Sequence, residues 1–315
     1  MRPFRFIAEP GDFSDGRSLA ASARRAESMG YSALVYPDHL VSRWGVIPLL
    51  ATIAAATDRI RIQAFVLNND LRHPAILAQD LATLDVLSGG RLEVAIGAGW
   101  NKPEYDAIGL PFDPVGVRVS RLAESIRVLK GAFADGPFSF QGVHYIVTNH
   151  DGQPKPAQRP HPPFFVGGGG RRLLTIAARE ADTVGLAPRI HAGERFAADP
   201  RSITVEATEE KIGWVREAAP ARFADLVFNV YPSTAPVIVT DHARTEATEW
   251  LDRLRSRTGI DIGLDAYLAS PHVFIGSIEG LAEKFVELRE RLGISSVMVG
   301  DIDGLAPLVE RLAGT

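Results

Sequence analysis

The sequence contains no cysteine. Disulfides, thiolate zinc sites, iron–sulfur clusters and a cysteine nucleophile are therefore excluded together. Lysine is scarce too, occurring only as Lys102, Lys130, Lys155, Lys211 and Lys284. None of these closes a strand-like run, Lys102 coming nearest, and this disfavours Schiff-base chemistry. The histidines form no His-x-His or His-x-x-x-His pair and have no dense carboxylate cluster beside them, so no metal site is expected. Neither a Gly-x-Ser-x-Gly elbow nor a Walker loop occurs. Positive charge is in no excess, with 34 Lys+Arg against 38 Asp+Glu, a near balance that leaves no footprint for nucleic acid or an anionic membrane. No apolar run approaches the ~20 residues that span a bilayer, and no signal-type hydrophobic region opens the chain. A cytoplasmic protein acting on a small molecule is the expectation.

What is present is a regular alternation. Strand-like runs cover Phe4 to Glu9, Ala33 to Pro37, Ile60 to Leu67, Leu92 to Ile96, Phe164 to Val166, Thr183 to Ala187, Leu226 to Val230 and Ser296 to Val299. Helical spacing separates them, over Leu19 to Met29, Val46 to Thr57, Pro74 to Leu87, Val117 to Phe133, Leu173 to Asp182, Val205 to Ala218 and Ile278 to Leu292, with Leu305 to Leu312 closing the chain. Eight such units without a break in composition imply α/β, a single (β/α)8 TIM barrel over residues 1–315; the alternative is an open doubly wound sheet. Two segments interrupt the rhythm as insertions, one from about Gly136 to Pro163, beginning with a hairpin pattern, and one from about Pro188 to Leu268. Within the second, Pro188 to Arg201 reads as a polar loop and Thr240 to Leu268 as irregular helix.

The most informative stretch is Phe164-Phe165-Val166-Gly167-Gly168-Gly169-Gly170-Arg171-Arg172. A strand enters four glycines and a helix leaves them. Backbone N–H groups without flanking Cβ atoms, at the positive end of a helix dipole, make a seat for phosphate. A turn that merely needs glycine is the competing explanation. Barrel enzymes carry their sites on the loops after the strands. Those loops supply Glu9; Asp38 and His39; Asn68, Asn69 and Asp70; Gly97, Ala98, Gly99, Trp100 and Asn101; the glycine run with Arg171; Leu186 to Arg189; Asn229 and Tyr231; and Gly300-Asp301. One histidine and a phosphate seat, without metal, thiol or lysine, suit a cofactor that performs the reaction while the protein positions it. His39 can exchange a proton near neutral pH; the alternative is a solvated histidine in a turn.

Several motifs resemble one family. They are Tyr36-Pro37-Asp38-His39, Val66-Leu67-Asn68-Asn69-Asp70-Leu71-Arg72-His73-Pro74-Ala75, Leu84-Asp85-Val86-Leu87-Ser88-Gly89-Gly90-Arg91, Gly97-Ala98-Gly99-Trp100 and Pro160-His161-Pro162-Pro163 before the glycines. Together they resemble the bacterial luciferase-like flavin and deazaflavin oxidoreductases, most densely from Ala33 to Asp182, and look like the coenzyme F420-dependent branch. The resemblance implies F420, with FMN as the alternative, its phosphate on Gly167, Gly168, Gly169 and Gly170. One of Arg171 and Arg172 would clamp that phosphate, Asn68 and Asn69 would meet the ring, and Gly97 to Trp100 would line it. Asp38 and His39 would be catalytic, Asp38 orienting the imidazole or bonding the ring, and Arg43 and Arg72 would meet the coenzyme's acidic tail. A non-prolyl cis peptide near Phe65-Val66 and a homodimer are further implications, as is a separate flavin reductase if FMN is used. A sugar-phosphate dehydrogenase branch has a carboxylate where this chain has Trp100, so glucose 6-phosphate is not the expected substrate. A non-catalytic barrel that binds a cofactor or a phosphosugar is the remaining alternative.

Overall fold

The computed structural model describes residues 1–191 and 197–315. Its fold is α/β, with parallel strands closed into an eight-stranded barrel and helices in the intervening segments. In chain order the barrel strands are Arg5–Glu9, Ala33–Tyr36, a third in two pieces (Arg61–Ala64 and Leu67–Asn68), Leu92–Gly97, Phe164–Gly168, Thr183–Leu186, Val227–Val230 and Ile294–Asp301. The third strand is interrupted by a cis peptide between Phe65 and Val66, the position the resemblance implied. The chain gathers into two compact units, one of Met1–Asp12, Arg25–Ala33 and Val166–Thr315 and another of Phe13–Arg24 and Leu34–Phe165.

In the first unit the first strand runs parallel to the eighth, with Phe6 opposite Val297, and the seventh lies parallel to both the sixth and the eighth. Ala8, Val184, Leu186, Val230 and Val297 are buried, as near-continuous apolar parallel strands should be. Helix Ile278–Leu292 has its bounds written in the sequence. Ser277 accepts from the Gly280 amide, Arg289 and Arg291 lie in the last turn, and Gly293 takes a left-handed conformation at φ 70°. Leu281, Phe285, Leu288 and Leu292 recur at helical spacing on its buried face, and Phe285 packs edge-on to Phe274 at 5.0 Å. The expected irregular helix is resolved into Ala243–Thr258 and Leu264–Ala269, packed around Leu251, Leu254, Tyr267, Val273 and Ile275. The polar loop expected over Pro188 to Arg201 falls partly on residues 192–196, which lie outside the described residues.

Lys211 is 1% exposed in this unit, and its Nζ donates to the carbonyls of Ala187 at 2.9 Å and Ser202 at 2.7 Å. Burial, helped by the nearby Arg189 charge, pushes its ammonium down to about 8 from 10.5. A neutral amine still has two hydrogens for the two carbonyls, so deprotonation keeps both bonds. The cost of the buried charge is complete below about 8 and gone above 10.5, so stability rises with pH across that window. Urea unfolding of the wild type and Lys211→Met at pH 8 and pH 10 should show the wild type gaining roughly 2 kcal/mol relative to the variant. A difference that stays constant between the two pH values would contradict this account.

In the second unit Gln63 stands opposite Glu93, and Asn68 opposite Gly97, in parallel register. Helix Pro74–Leu87 begins with proline at its first position, and the His73 ring nitrogen Nδ1 accepts from the Ala75 amide. Arg91 binds four carbonyl or hydroxyl oxygens, those of Ser88, Thr57, Ile60 and Ala54, and so ties the end of helix Val46–Ala56 to the strand that follows helix Pro74–Leu87. The hairpin expected in the insertion pairs Phe138–Gln141 with Ile146–His150. Its turn is held by the Glu124 carboxylate, which accepts from the amides of Val143, His144 and Tyr145.

Candidate active site

The second strand, Ala33–Tyr36, stops before Pro37 and releases Asp38 and His39 at its end. Sequence reasoning had Asp38 orienting the imidazole or bonding a ring, but its bonds go elsewhere. Its Oδ2 accepts from Arg72 Nη1 at 2.6 Å and from the Asn68 amide at 3.0 Å, while Oδ1 accepts from Arg72 Nη2 at 2.9 Å. At 7% exposure this carboxylate takes a two-pronged guanidinium because a buried charge must be paired. Asp38 therefore ties the end of the second strand to the end of the third. Arg72, expected to be free for an acidic tail, is consumed in that brace, and Arg43 lies over the Trp44 ring at 5.0 Å.

His39 is held by a residue the sequence reading missed. Its Nδ1 lies 2.8 Å from Glu104 Oε2, and the other oxygen of Glu104 accepts from the Val41 amide at 3.3 Å. The Glu104 side chain is 2% exposed and that of His39 27%, so the imidazole reaches from a buried carboxylate toward the surface. Its Nε2 has no partner among the described residues. The Trp100 ring stands edge-on to the imidazole at 5.5 Å and is itself 45% exposed. Glu104 arrives on a short helix, Lys102–Ala107, too brief for any periodicity to announce.

The loop from Gly97 to Trp100 is shaped by close approach. Gly99 has φ +72°, and a Cβ there would lie 2.7 Å from Asn68 Oδ1 and nearer still to the Tyr105 hydroxyl. A Cβ on Gly97 would lie 2.9 Å from Val66 Cγ2. The Arg118 guanidinium donates to the carbonyls of Ala98 and Gly99, fixing the loop from beneath. Tyr105 donates to Asn68 Oδ1 at 3.0 Å and lies 3.1 Å from Asp70 Oδ2; burial and the Asp70 charge push its hydroxyl up to about 12. Asp70 is paired in turn with Arg121 at 2.9 Å. Asn69, 1% exposed, has an Oδ1 with no partner among the described residues; its Nδ2 makes long contacts, 3.4 Å each, to Asp70 and Tyr145.

The glycine run belongs to the first unit. The fifth strand ends at Gly168, and helix Arg171–Glu180 starts from Gly170, which has no side-chain cap. Two of the glycines have packing reasons to be glycine. A Cβ on Gly168 would strike the Leu173 side chain, and one on Gly169 would lie 2.6 Å from the Pro188 carbonyl. Gly170 has neither reason, with φ −105° and nothing within 4 Å of an added Cβ. Arg171, expected to clamp a phosphate, is paired with Glu217 at 2.8 Å, both exposed. Among the described residues no group of acidic, cysteine and histidine side chains could hold a metal, and no helix is long and apolar enough to cross a membrane.

Residues 3–264 match the family model described as luciferase-like monooxygenase. The FMNH(2)-dependent dimethylsulfone monooxygenase of Pseudomonas putida is 40% identical over 177 residues, covering 54% of this chain and 48% of that protein. The F420-dependent glucose-6-phosphate dehydrogenase of Microbacterium testaceum is 30% identical over 166 residues, covering 50% and 48%. The chain thus spans about half the length of these curated relatives. The coenzyme F420-dependent tetrahydromethanopterin reductase of Methanopyrus kandleri superposes with a TM-score of 0.74 at 21% identity, over 98% of this chain and 97% of that one. That likeness shows the barrel fold. These two curated relatives are oxidoreductases, one FMNH(2)-dependent and one F420-dependent. The chain belongs to the luciferase-like monooxygenase family.

Proposed function

We propose that the protein is an F420-dependent oxidoreductase that moves a hydride between the deazaflavin C5 and a small organic substrate, with His39 giving or taking the accompanying proton. The observation that carries this reading is the imidazole itself, seated on a buried carboxylate through Nδ1 with Nε2 unpartnered among the described residues. An acid–base group so placed suits a reaction in which hydride and proton move together. Two features fit the cofactor. In the second unit the buried Asn69 Oδ1, without a partner among the described residues, would accept from a ring N–H; in the first, the uncapped helix start at Gly170 would take a phosphate. A bound deazaflavin would supply the hydride chemistry. The chain's own residues fix the proton-bearing imidazole, brace Asn68 through Asp38 and Tyr105, and hold the Gly97 to Trp100 loop through Arg118.

A second reading, an FMN-dependent monooxygenase supplied by a separate reductase, is favoured by the 40% identity to the dimethylsulfone enzyme. Titration with oxidised and reduced F420 and with FMN separates the two, supported by oxygen uptake with free reduced FMN. Binding of FMN alone would overturn the deazaflavin reading, and binding without turnover in either assay would leave a carrier protein. In the same titration Gly170→Asp should weaken binding about 100-fold, because a carboxylate would face the phosphate, whereas Gly170→Ala meets open space and should not. Unchanged affinity in Gly170→Asp would remove the phosphate seat. Position 169 cannot serve this test, since any side chain there meets the Pro188 backbone.

A further inference from the structure

We infer that Glu104 is the positioning residue that sets the tautomer of His39, so that Nδ1 carries the hydrogen and Nε2 is the atom that exchanges protons. The inference rests on the reading of His39 given above. A carboxylate oxygen can only accept, so the 2.8 Å contact with Glu104 Oε2 requires the hydrogen on Nδ1. That leaves the outward-facing Nε2 with a lone pair when the ring is neutral and a donatable proton when it is charged.

The carboxylate is well placed to impose this choice. Its side chain is 2% exposed, and its second oxygen accepts the Val41 amide, so it grips both the ring and the backbone two residues on. It cannot swing away easily. Its helix begins at Lys102-Pro103, is stapled by Lys102 to Asp106, and is anchored by its neighbour Tyr105, which is fully buried between Asn68 and Asp70. On its other side the imidazole meets the edge of Trp100. The alternative is that Glu104 is only a clasp on the Val41 backbone, with no influence on the ring.

Glutamine separates the two roles, because it keeps the shape of glutamate but adds an amide that can donate to Nδ1. Such a contact would drive the hydrogen to Nε2, the wrong tautomer for accepting a proton there, as in the catalytic triad when its aspartate becomes asparagine. The experiment uses full-length protein with nitrogen-15 histidine, the His39 signals being assigned by their loss in His39→Asn. Two-bond proton–nitrogen correlations then report which nitrogen bears hydrogen in the neutral ring. We expect an Nδ1-H tautomer in the wild type and in Glu104→Asp, and an Nε2-H tautomer in Glu104→Gln. In whichever cofactor assay turns over, kcat of Glu104→Gln should fall about 100-fold with KM changed by no more than about threefold, and Glu104→Asp should recover part of the loss. An Nε2-H tautomer in the wild type, or a Glu104→Gln protein with the wild-type tautomer, would overturn the inference. The spectroscopic result needs no cofactor, so it stands or falls apart from the F420 reading, and the wild-type measurement needs no variant to fold.

Discussion

His39→Asn should lower kcat about 1,000-fold in the assay that the wild type supports, while cofactor affinity stays within about threefold. Asparagine retains a donor near the place of Nδ1 and can still meet Glu104, so the fold around the buried carboxylate is spared. What it lacks is a group that exchanges protons near neutrality. The imidazole meets Glu104 and the edge of Trp100 and is 27% exposed, and the melting curves separate any packing loss from the chemical one. Stopped-flow measurement of cofactor oxidation or reduction, with melting curves to confirm folding, decides the matter. A variant within about tenfold of the wild-type rate would take His39 out of the reaction.

The second large effect concerns stability. Arg72→Leu should cost about 3 kcal/mol, because it strands the Asp38 carboxylate, 7% exposed, with the Asn68 amide as its remaining hydrogen-bond donor in the brace. The Arg72 side chain is 27% exposed, and solvent around it holds the cost near the lower end of the range for broken buried pairs. Converting both partners, in Asp38→Asn with Arg72→Leu, should recover most of the loss, since the penalty comes chiefly from the unpaired charge. Urea melts of the wild type and of these two variants test this directly. A single variant that loses under about 1 kcal/mol would show that the brace is solvated and contributes little.

The contrast between these residues shows what a linear reading can reach. Helices Pro74–Leu87, Val205–Ala218 and Ile278–Leu292 begin and end where their caps say they should, because Pro74, Thr204, Ser277 and Gly293 act on their immediate neighbours. His39 and the glycines were legible because each stands just past an apolar run. Glu104 was not. It lies 65 residues from His39 on a six-residue helix, and in sequence it looks like an ordinary acidic residue in a first turn. The pairing of Asp38 with Arg72 likewise spans 34 residues and joins the ends of two strands. Charge type can be read locally, but its partner is chosen by the fold. The glycine run shows the reverse lesson: four identical letters hide different reasons, close approach at Gly168 and Gly169 and an open helix end at Gly170.

The Glu124 clasp makes the insertion hairpin a natural docking port for loop engineering. One carboxylate from helix Val115–Phe133 fixes three successive amides of the turn, and Tyr145, the last of them, reaches Asn69 with its hydroxyl. The attachment is thus made by main chain on one side and a single ring on the other. The side chains of Val143, 91% exposed, and Ile146, 64% exposed, take no part in it. A library that varies those two positions and keeps Glu124 and Tyr145 would alter the outer surface of the hairpin while its register and its grip on Asn69 stay put.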